Sequence, residues 1–300
     1  MKWVIAGAFA ALALFGHAQA KRPVRVVLGG DIMLARFVWL AAQQHKDSSW
    51  SFQKIATLFR EADVAFANLE SPFAETGPYF EDRMVFRTHP SMVEGLLSAG
   101  IDVVSTANNH SRDAGPRGIE FTLEHLANHG IAAVGTVRDA GEKHKGVIVE
   151  RKGTRFGFLA YTFDQRNGNH LNDDSRVAMM DANGVAADIA ALRPDCDVVI
   201  VSMHAGVEYQ PRPNAEQMRF ARAAIDAGAT IVAGHHPHVF QPAERYKHGV
   251  IFYSLGNLVF DQAERPGAKQ GAIAEVDFLG DQLAGYLIRE VTIRSTVPSL

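Results

Sequence analysis

From Val24 onward, short runs of β-branched and other apolar residues alternate with amphipathic stretches. A run that is apolar at every position predicts a strand buried on both faces, and a 3.6-residue apolar spacing predicts a helix packed along one stripe. The strands expected this way are Val24 to Leu28, Val64 to Ala67, Val103 to Thr106, Ala132 to Val134, Phe156 to Tyr161, Val198 to Ser202, Ile231 to Ala233 and Val250 to Tyr253. Helical patterns lie between several of them, at Ser51 to Arg60, Ser91 to Ala99, Pro116 to Asn128 and Asn214 to Ala227. Gly100, Gly130 and Gly228 stand where a left-handed helix end calls for glycine. The alternation predicts an α/β fold, with residues 21–300 as one domain. After Asn257 the period drops to two, over Ala272 to Phe278 and Leu283 to Ile293, and Gly280-Asp281 between them predicts a hairpin at a sheet edge. The polar stretch Asp164 to Asp181 is the candidate for a mobile or substrate-facing loop.

The residues just past each apolar run carry the chemistry. The runs end in Gly30-Asp31, Asn68-Leu69-Glu70, Asn108-Asn109-His110, His204, His235-His236-Pro237-His238 and Gly256-Asn257. Ligands of open α/β sheets bind beyond the carboxyl ends of the strands, so residues scattered along the chain are expected to converge on one crevice. His236 and His238 can offer imidazole nitrogens to one metal site, and Pro237 stiffens the backbone between them. Alone, a His-x-His is a weak signal; Asp31, Glu70, Asn109 and His204 add carboxylate, amide and imidazole donors that suit Mn, Fe or Zn. One or two divalent ions are expected, since burying these groups without a cation is costly. Bland readings coexist with this one. Asp31 and Asn109 also fit turns or helix caps, His110 a backbone hydrogen bond, and Asp113 either a partner for His110 or a cap for the helix near Pro116. His235, Glu208 and Asn257 are candidates for supporting the ligands, and Gly29, Gly30 and Gly234 read as tight turns.

The N-terminus modifies the picture. Lys2, an apolar run from Val4 to Phe15 and the small residues of Ala18-Gln19-Ala20 predict a cleaved secretory signal over residues 1–20, hence an exported, periplasmic or cell-surface protein. The run is shorter than the roughly 20 residues that cross a bilayer, and no later segment is apolar enough to span one. The formal charge of −3, from 30 basic and 33 acidic side chains without a basic block, excludes a nucleic-acid partner. The single cysteine, Cys196, excludes an intrachain disulfide.

Taken together, Gly30 to Leu34, Ala67 to Glu70, Ala107 to Asp113, His204 to Tyr209, Gly234 to Val239 and Tyr253 to Asn257 resemble the successive motifs of the CapA family of capsule and poly-γ-glutamate biosynthesis. The resemblance implies a calcineurin-like metallophosphoesterase fold, an αββα sandwich with the metal site at the strand ends. It also implies roles: Asp31, Glu70 and His238 around a first metal, with Glu70 bridging, and Asn109, His204 and His236 around a second. His110 would handle protons, with Asp113 beside it. One departure stands out, because many phosphoesterases begin Asp-x-His where this chain has Asp31-Ile32-Met33, and methionine serves a hard divalent ion poorly.

Two function classes are consistent with these residues. The first is a metal-dependent hydrolase or transferase acting on a phosphoester or a γ-glutamyl amide of a capsule or cell-envelope polymer. The second is a non-enzymatic component that binds metal and polyanionic polymer, tethering it to synthesis or export machinery. A seryl hydrolase is disfavoured because the chain has no Gly-x-Ser-x-Gly elbow.

Overall fold

The structure, a computed structural model, describes residues 22–81, 83–166, 173–262, 264–265 and 267–300. The secretory signal expected at 1–20, and residues 167–172 of the Asp164 to Asp181 loop, lie outside the described residues. The chain begins with β1 (Pro23–Ile32), then α1 (Arg36–His45), α2 (Ala56–Arg60), β2 (Val64–Leu69), α3 (Val93–Ala99), β3 (Val103–Ser105), α4 (Pro116–Asn128) and β4 (Ala132–Val134). It continues through β5 (Val147–Arg151), β6 (Thr154–Thr162), α5 (Val185–Leu192), β7 (Val198–His204), α6 (Ala215–Asp226), β8 (Ile231–His235), β9 (Phe240–Tyr246) and β10 (Gly249–Leu255). Four strands close it: β11 (Asn257–Val259), β12 (Gln270–Leu279), β13 (Gln282–Arg294) and β14 (Val297–Ser299).

These strands form two sheets. One runs β14-β13-β12-β1-β2-β3-β4 with β11 beside β1, and the other β5-β6-β7-β8-β10-β9. Strands β1 to β4 are mutually parallel, as are β6, β7, β8 and β10, so each sheet sends several carboxyl ends in one direction. The period of two along a strand explains the layering. Val24, Val26 and Leu28 of β1 face the other sheet, where Phe156, Phe158, Ile200 and Phe252 meet them, while Val27 faces Val38, Phe59 and Leu96 on the helical side. On the far side Val199 and Val201 pack under Ile189, Phe220 and Ala224. The fold is therefore the αββα sandwich that the CapA resemblance implies. Among the described residues no helix is long and apolar enough to cross a membrane.

The differences from the expected elements have physical reasons. The helix expected at Ser51 to Arg60 splits into a 3-10 turn at Trp50–Phe52 and the short α2, because buried Phe52, Ile55 and Phe59 reach the core from either conformation. Edge strands β5 and β9 carry Glu150, Arg151, Glu244 and Arg245 and are only partly buried, so no apolar run announces them. The predicted hairpin forms, with β12 paired to β1 and β13 outside it. Gly30 and Gly234, expected in turns, lie inside β1 and β8 instead. A Cβ on Gly30 would stand 2.0 Å from the Gly256 carbonyl oxygen, and one on Gly234 2.0 Å from that of Tyr253. Glycine is required there by backbone approach, and the approach extends both strands to the residues of the site.

Candidate metal centre

Strand register assembles the site. Asp31 is paired with Asn68 on one side and Asn257 on the other, and in the second sheet His204 is paired with His235. The loop after β8 then turns sharply, with left-handed backbone at His236 (φ 93°) and His238 (φ 58°), strain that non-glycine residues accept where the surroundings impose it. Asp31, Glu70, Asn109, His204, His236 and His238 are all buried, between 0% and 7% exposed, although five of the six carry ionisable groups.

Their donor atoms gather into two groups that share one residue. Glu70, His204 and His236 form the first and Asp31, Glu70 and His238 the second, each with donors mutually within 4.8 Å. Glu70 Oε1 lies 3.7 Å from His204 Nε2, 3.8 Å from His238 Nε2 and 3.9 Å from His110 Nε2. Neither Glu70 oxygen accepts a hydrogen bond from any described residue, and His236 Nδ1 is likewise buried without a partner. Buried polar atoms are nearly always hydrogen-bonded, and a carboxylate left bare costs several kcal/mol. A divalent cation on each side of Glu70 would satisfy these atoms, and the mixed oxygen and nitrogen donors suit Mn, Fe or Zn. The residues fit the group.

The surroundings orient the donors. His238 Nδ1 donates to Asn257 Oδ1 at 2.9 Å, which leaves Nε2 facing Glu70, and Asn257 is fixed in turn by the Ala268 carbonyl at 3.0 Å. Asn109 Oδ1 meets His204 Nε2 at 2.8 Å, bringing the amide oxygen to the first group. His235 stays outside both groups, with Nδ1 3.4 Å from Asp31 Oδ1. Met33, at the Asp-x-His position, is buried in the helical-side core, and its sulfur accepts the Ala35 N–H at 3.2 Å.

Beside the two groups stands His110. Its Nδ1 donates to Asp113 Oδ2 at 2.7 Å, and the same oxygen accepts the Phe86 N–H at 2.7 Å. Helix α4 starts after Gly115 without any side-chain cap, so Asp113 serves His110 and not the helix. The Phe86 ring lies against the imidazole, 3.9 Å between centroids and 18° between planes. His110 and Asn109 open onto a cleft of about 490 Å³ that Glu208, Tyr209, Arg36 and Arg265 also line. Arg36 is gripped by Asp261 through two hydrogen bonds, of 2.8 and 3.1 Å, and Arg265 lies over the Tyr209 ring at 5.3 Å. Sequence reasoning missed Asn68, Asn108, Phe86 and Arg36. The two asparagines sit inside motifs already noticed, whereas Phe86 and Arg36 reach the site only through tertiary packing.

The electrostatics match the geometry. Burial, reinforced by the charges of Asp31, Glu208 and Asp113, raises the Glu70 carboxyl well above its ordinary range. Burial alone would raise Asp31 too, but His235 and His238 facing its oxygens outweigh that and hold it well below. Burial, then the neighbouring histidines, lowers His204 well below 6.5 and His236 to about 3, so both are neutral and free to act as ligands at neutral pH.

Comparison with known proteins places the chain. A family model described as bacterial capsule synthesis protein PGA_cap matches residues 25–262. The PGA biosynthesis protein CapA of Bacillus subtilis is 34% identical over 78% of this chain and 62% of its own length. The capsule biosynthesis protein CapA of Bacillus anthracis is 32% identical over 78% of this chain and 59% of its own. The chain thus spans about three fifths of the length of these relatives. Among solved structures, a hypothetical protein from Thermus thermophilus superposes with a TM-score of 0.54 at 17% identity, covering 90% of this chain and all of that one. A Staphylococcus aureus protein assigned as a 5'-nucleotidase gives 0.53 at 11% identity, over 92% of this chain and 55% of that one. At these identities the structures show the fold alone.

Proposed function

The chain belongs to the family of bacterial capsule synthesis proteins PGA_cap, and from that premise we propose that it is an exported, metal-dependent hydrolase or transferase acting on a capsule or cell-envelope polymer. The observation that carries this reading is Glu70, a buried carboxylate with two bare oxygens at the junction of two donor groups. Asp31, Glu70 and His238 would hold one divalent ion, and Glu70, His204, His236 and Asn109 the other. A divalent ion, when bound, supplies electrophilic polarisation of a phosphoryl or acyl oxygen.

The remaining steps belong to the protein's own groups. His110 keeps Nε2 on the cleft side, 3.9 Å from Glu70 Oε1, while Asp113 fixes the proton on Nδ1. With Nδ1–H committed to Asp113, a proton taken up at Nε2 stands where it can pass to a departing oxygen or nitrogen, the geometry of a general acid. Arg36 and Arg265 line the cleft beside Glu208, Asp261 and Glu264, so the wall offers guanidinium donors to a phosphate or carboxylate of the polymer without a net positive charge. A second reading, a non-enzymatic component that binds polymer and metal, is favoured by the second donor group, where only Asp31, Glu70 and His238 gather and Met33 is turned into the core. Assays of the Mn-loaded protein on phosphoester and γ-glutamyl amide substrates separate the two. Turnover supports the first reading, and polymer binding without turnover the second.

Thermal stability gives an independent check. Unfolded Glu70 ionises near 4.5, but the folded metal-free protein keeps it protonated to higher pH, so this group's stabilisation is lost as pH rises through its raised folded value. A bound cation reverses the loss, and its affinity also grows as ligands shed protons. The rise in Tm on adding saturating Mn²⁺ is therefore expected to increase from pH 5 to pH 8, reaching on the order of 5 °C. A pH-independent rise would contradict the role given to Glu70.

A further inference from the structure

Helix α1 is apolar on two faces. Val38 and Ala42 are buried in the helical-side core, yet Phe37, Leu40 and Ala41 form a second stripe at i, i+3 and i+4, with Phe37 54% and Leu40 38% exposed. A helix packed on a sheet ordinarily turns polar residues outward, so an outward apolar stripe marks a contact surface. This stripe lines a cavity of about 480 Å³ that Phe260, Ala268 and Ile293 also line. The volume lies within the roughly 300–1,000 Å³ of small-molecule sites. The cavity shares Phe37, Asp261, Gln262 and Glu264 with the cleft onto which His110 and Asn109 open. Asp261, gripped by Arg36, also accepts the Phe37 N–H at 3.2 Å, and the Phe37 ring meets Phe80 edge-on at 5.1 Å, so the boundary between the two spaces is held in place.

We propose that this cavity holds a hydrocarbon chain attached to the group that reacts in the cleft, so that the substrate is an amphiphile with its phosphoryl or acyl end at the metal centre. The inference rests on the metal-centre reading above. Charge favours a hydrocarbon over a further anionic unit of a polymer. Asp261 is paired with Arg36, and the other charged residues of the lining, Glu264 and Lys269, are opposite in sign, so the cavity has no surplus positive charge to hold an anion. Its apolar walls give methylene groups a place out of water, and the shared boundary puts that place beside the reacting end.

Calorimetric titration of the Mn²⁺-loaded protein with butyl, hexyl and octyl phosphate, each below its micelle concentration, tests this. A methylene buried in apolar contact is worth about fourfold in affinity, so octyl phosphate is expected to bind on the order of 100-fold more tightly than butyl phosphate. Leu40→Asp and Ala41→Trp, at residues that line this cavity and not the cleft, are expected to flatten the series to within about threefold. Leu287→Asp, at an exposed leucine that lines neither space, keeps the full slope. A cooperative thermal transition establishes that each variant is folded, and the second cavity variant serves if the first is not. Affinity independent of chain length in the unmodified protein, or a slope that survives both cavity variants, overturns the inference. Binding to phosphatidylcholine vesicles that Leu40→Asp abolishes, without a chain-length slope in solution, makes the stripe a membrane contact and overturns it as well. Inorganic phosphate reports on the metal centre separately: if it fails to bind the Mn²⁺-loaded protein, the metal-centre reading falls and the inference with it, whereas a flat series with phosphate bound removes the inference alone.

Discussion

Replacing Glu70 by glutamine is expected to abolish both cation positions in a single step. Glu70 is the member shared by the two donor groups, and its carboxylate is the charge that makes each group attractive to a divalent ion. Glutamine preserves the volume but removes that charge, so both dissociation constants should rise by at least about 100-fold. Asp31→Asn and His236→Ala, each confined to one group, should cost one ion apiece. Elemental analysis of the three purified variants under identical loading checks the pattern, and a Glu70→Gln protein that still carries one tight ion would refute the sharing. The same substitution has an opposite effect on the empty protein. Because the bare carboxylate is destabilised chiefly by burial and then by Asp31, Glu208 and Asp113, a neutral amide relieves the strain at neutral and higher pH. In chelator at pH 8, Glu70→Gln should therefore be the more stable protein, by on the order of 1 kcal/mol or more. A variant that binds less metal yet unfolds later is the behaviour expected of a functional site.

His110→Asn is expected to lower turnover by roughly 10²- to 10⁴-fold, the range associated with a positioned general acid, while leaving bound metal unchanged. The separation follows from placement, because His110 lies outside both donor groups yet opens onto the cleft. Asp113→Asn should have a smaller effect in the same direction, since the amide can present NH₂ to Nδ1 and favour the wrong tautomer while the Phe86 stack still holds the ring. Steady-state rates on whichever substrate class the unmodified protein turns over, measured beside metal content, decide the matter. A His110→Asn protein with undiminished rate would remove the histidine from the chemistry. One that lost its metal would make it a ligand instead.

How much of the fold and the site is legible in the sequence depends on whether a signal is local. The central strands announce themselves because burial on both faces demands unbroken apolar runs, and the polar residues ending those runs mark the crevice. Gly30 misleads because a glycine needed for the approach of the Gly256 carbonyl looks, in sequence, like a glycine needed for a turn. Asp113 is ambiguous for a sharper reason: it lies three residues from both His110 and Pro116, and only the 2.7 Å contact with Nδ1 separates the two uses. Phe86 and Arg36 leave no signal at all. Their roles come from a loop that folds back over His110 and from the grip of Asp261, contacts between distant segments that no spacing rule encodes. The Met33 departure is visible, but its consequence is not. The sequence shows a missing imidazole, and the structure adds that the methionine is committed to the helical-side core.

The central claim is that Glu70 stands between two cation positions. Anomalous diffraction from crystals grown with Mn²⁺ tests it most directly. Two peaks about 4 Å apart are expected, one beside His204 and His236 and the other beside Asp31 and His238, with the Glu70 carboxylate between them. An absence of peaks at Glu70, or a single peak that the carboxylate does not touch, would contradict the account.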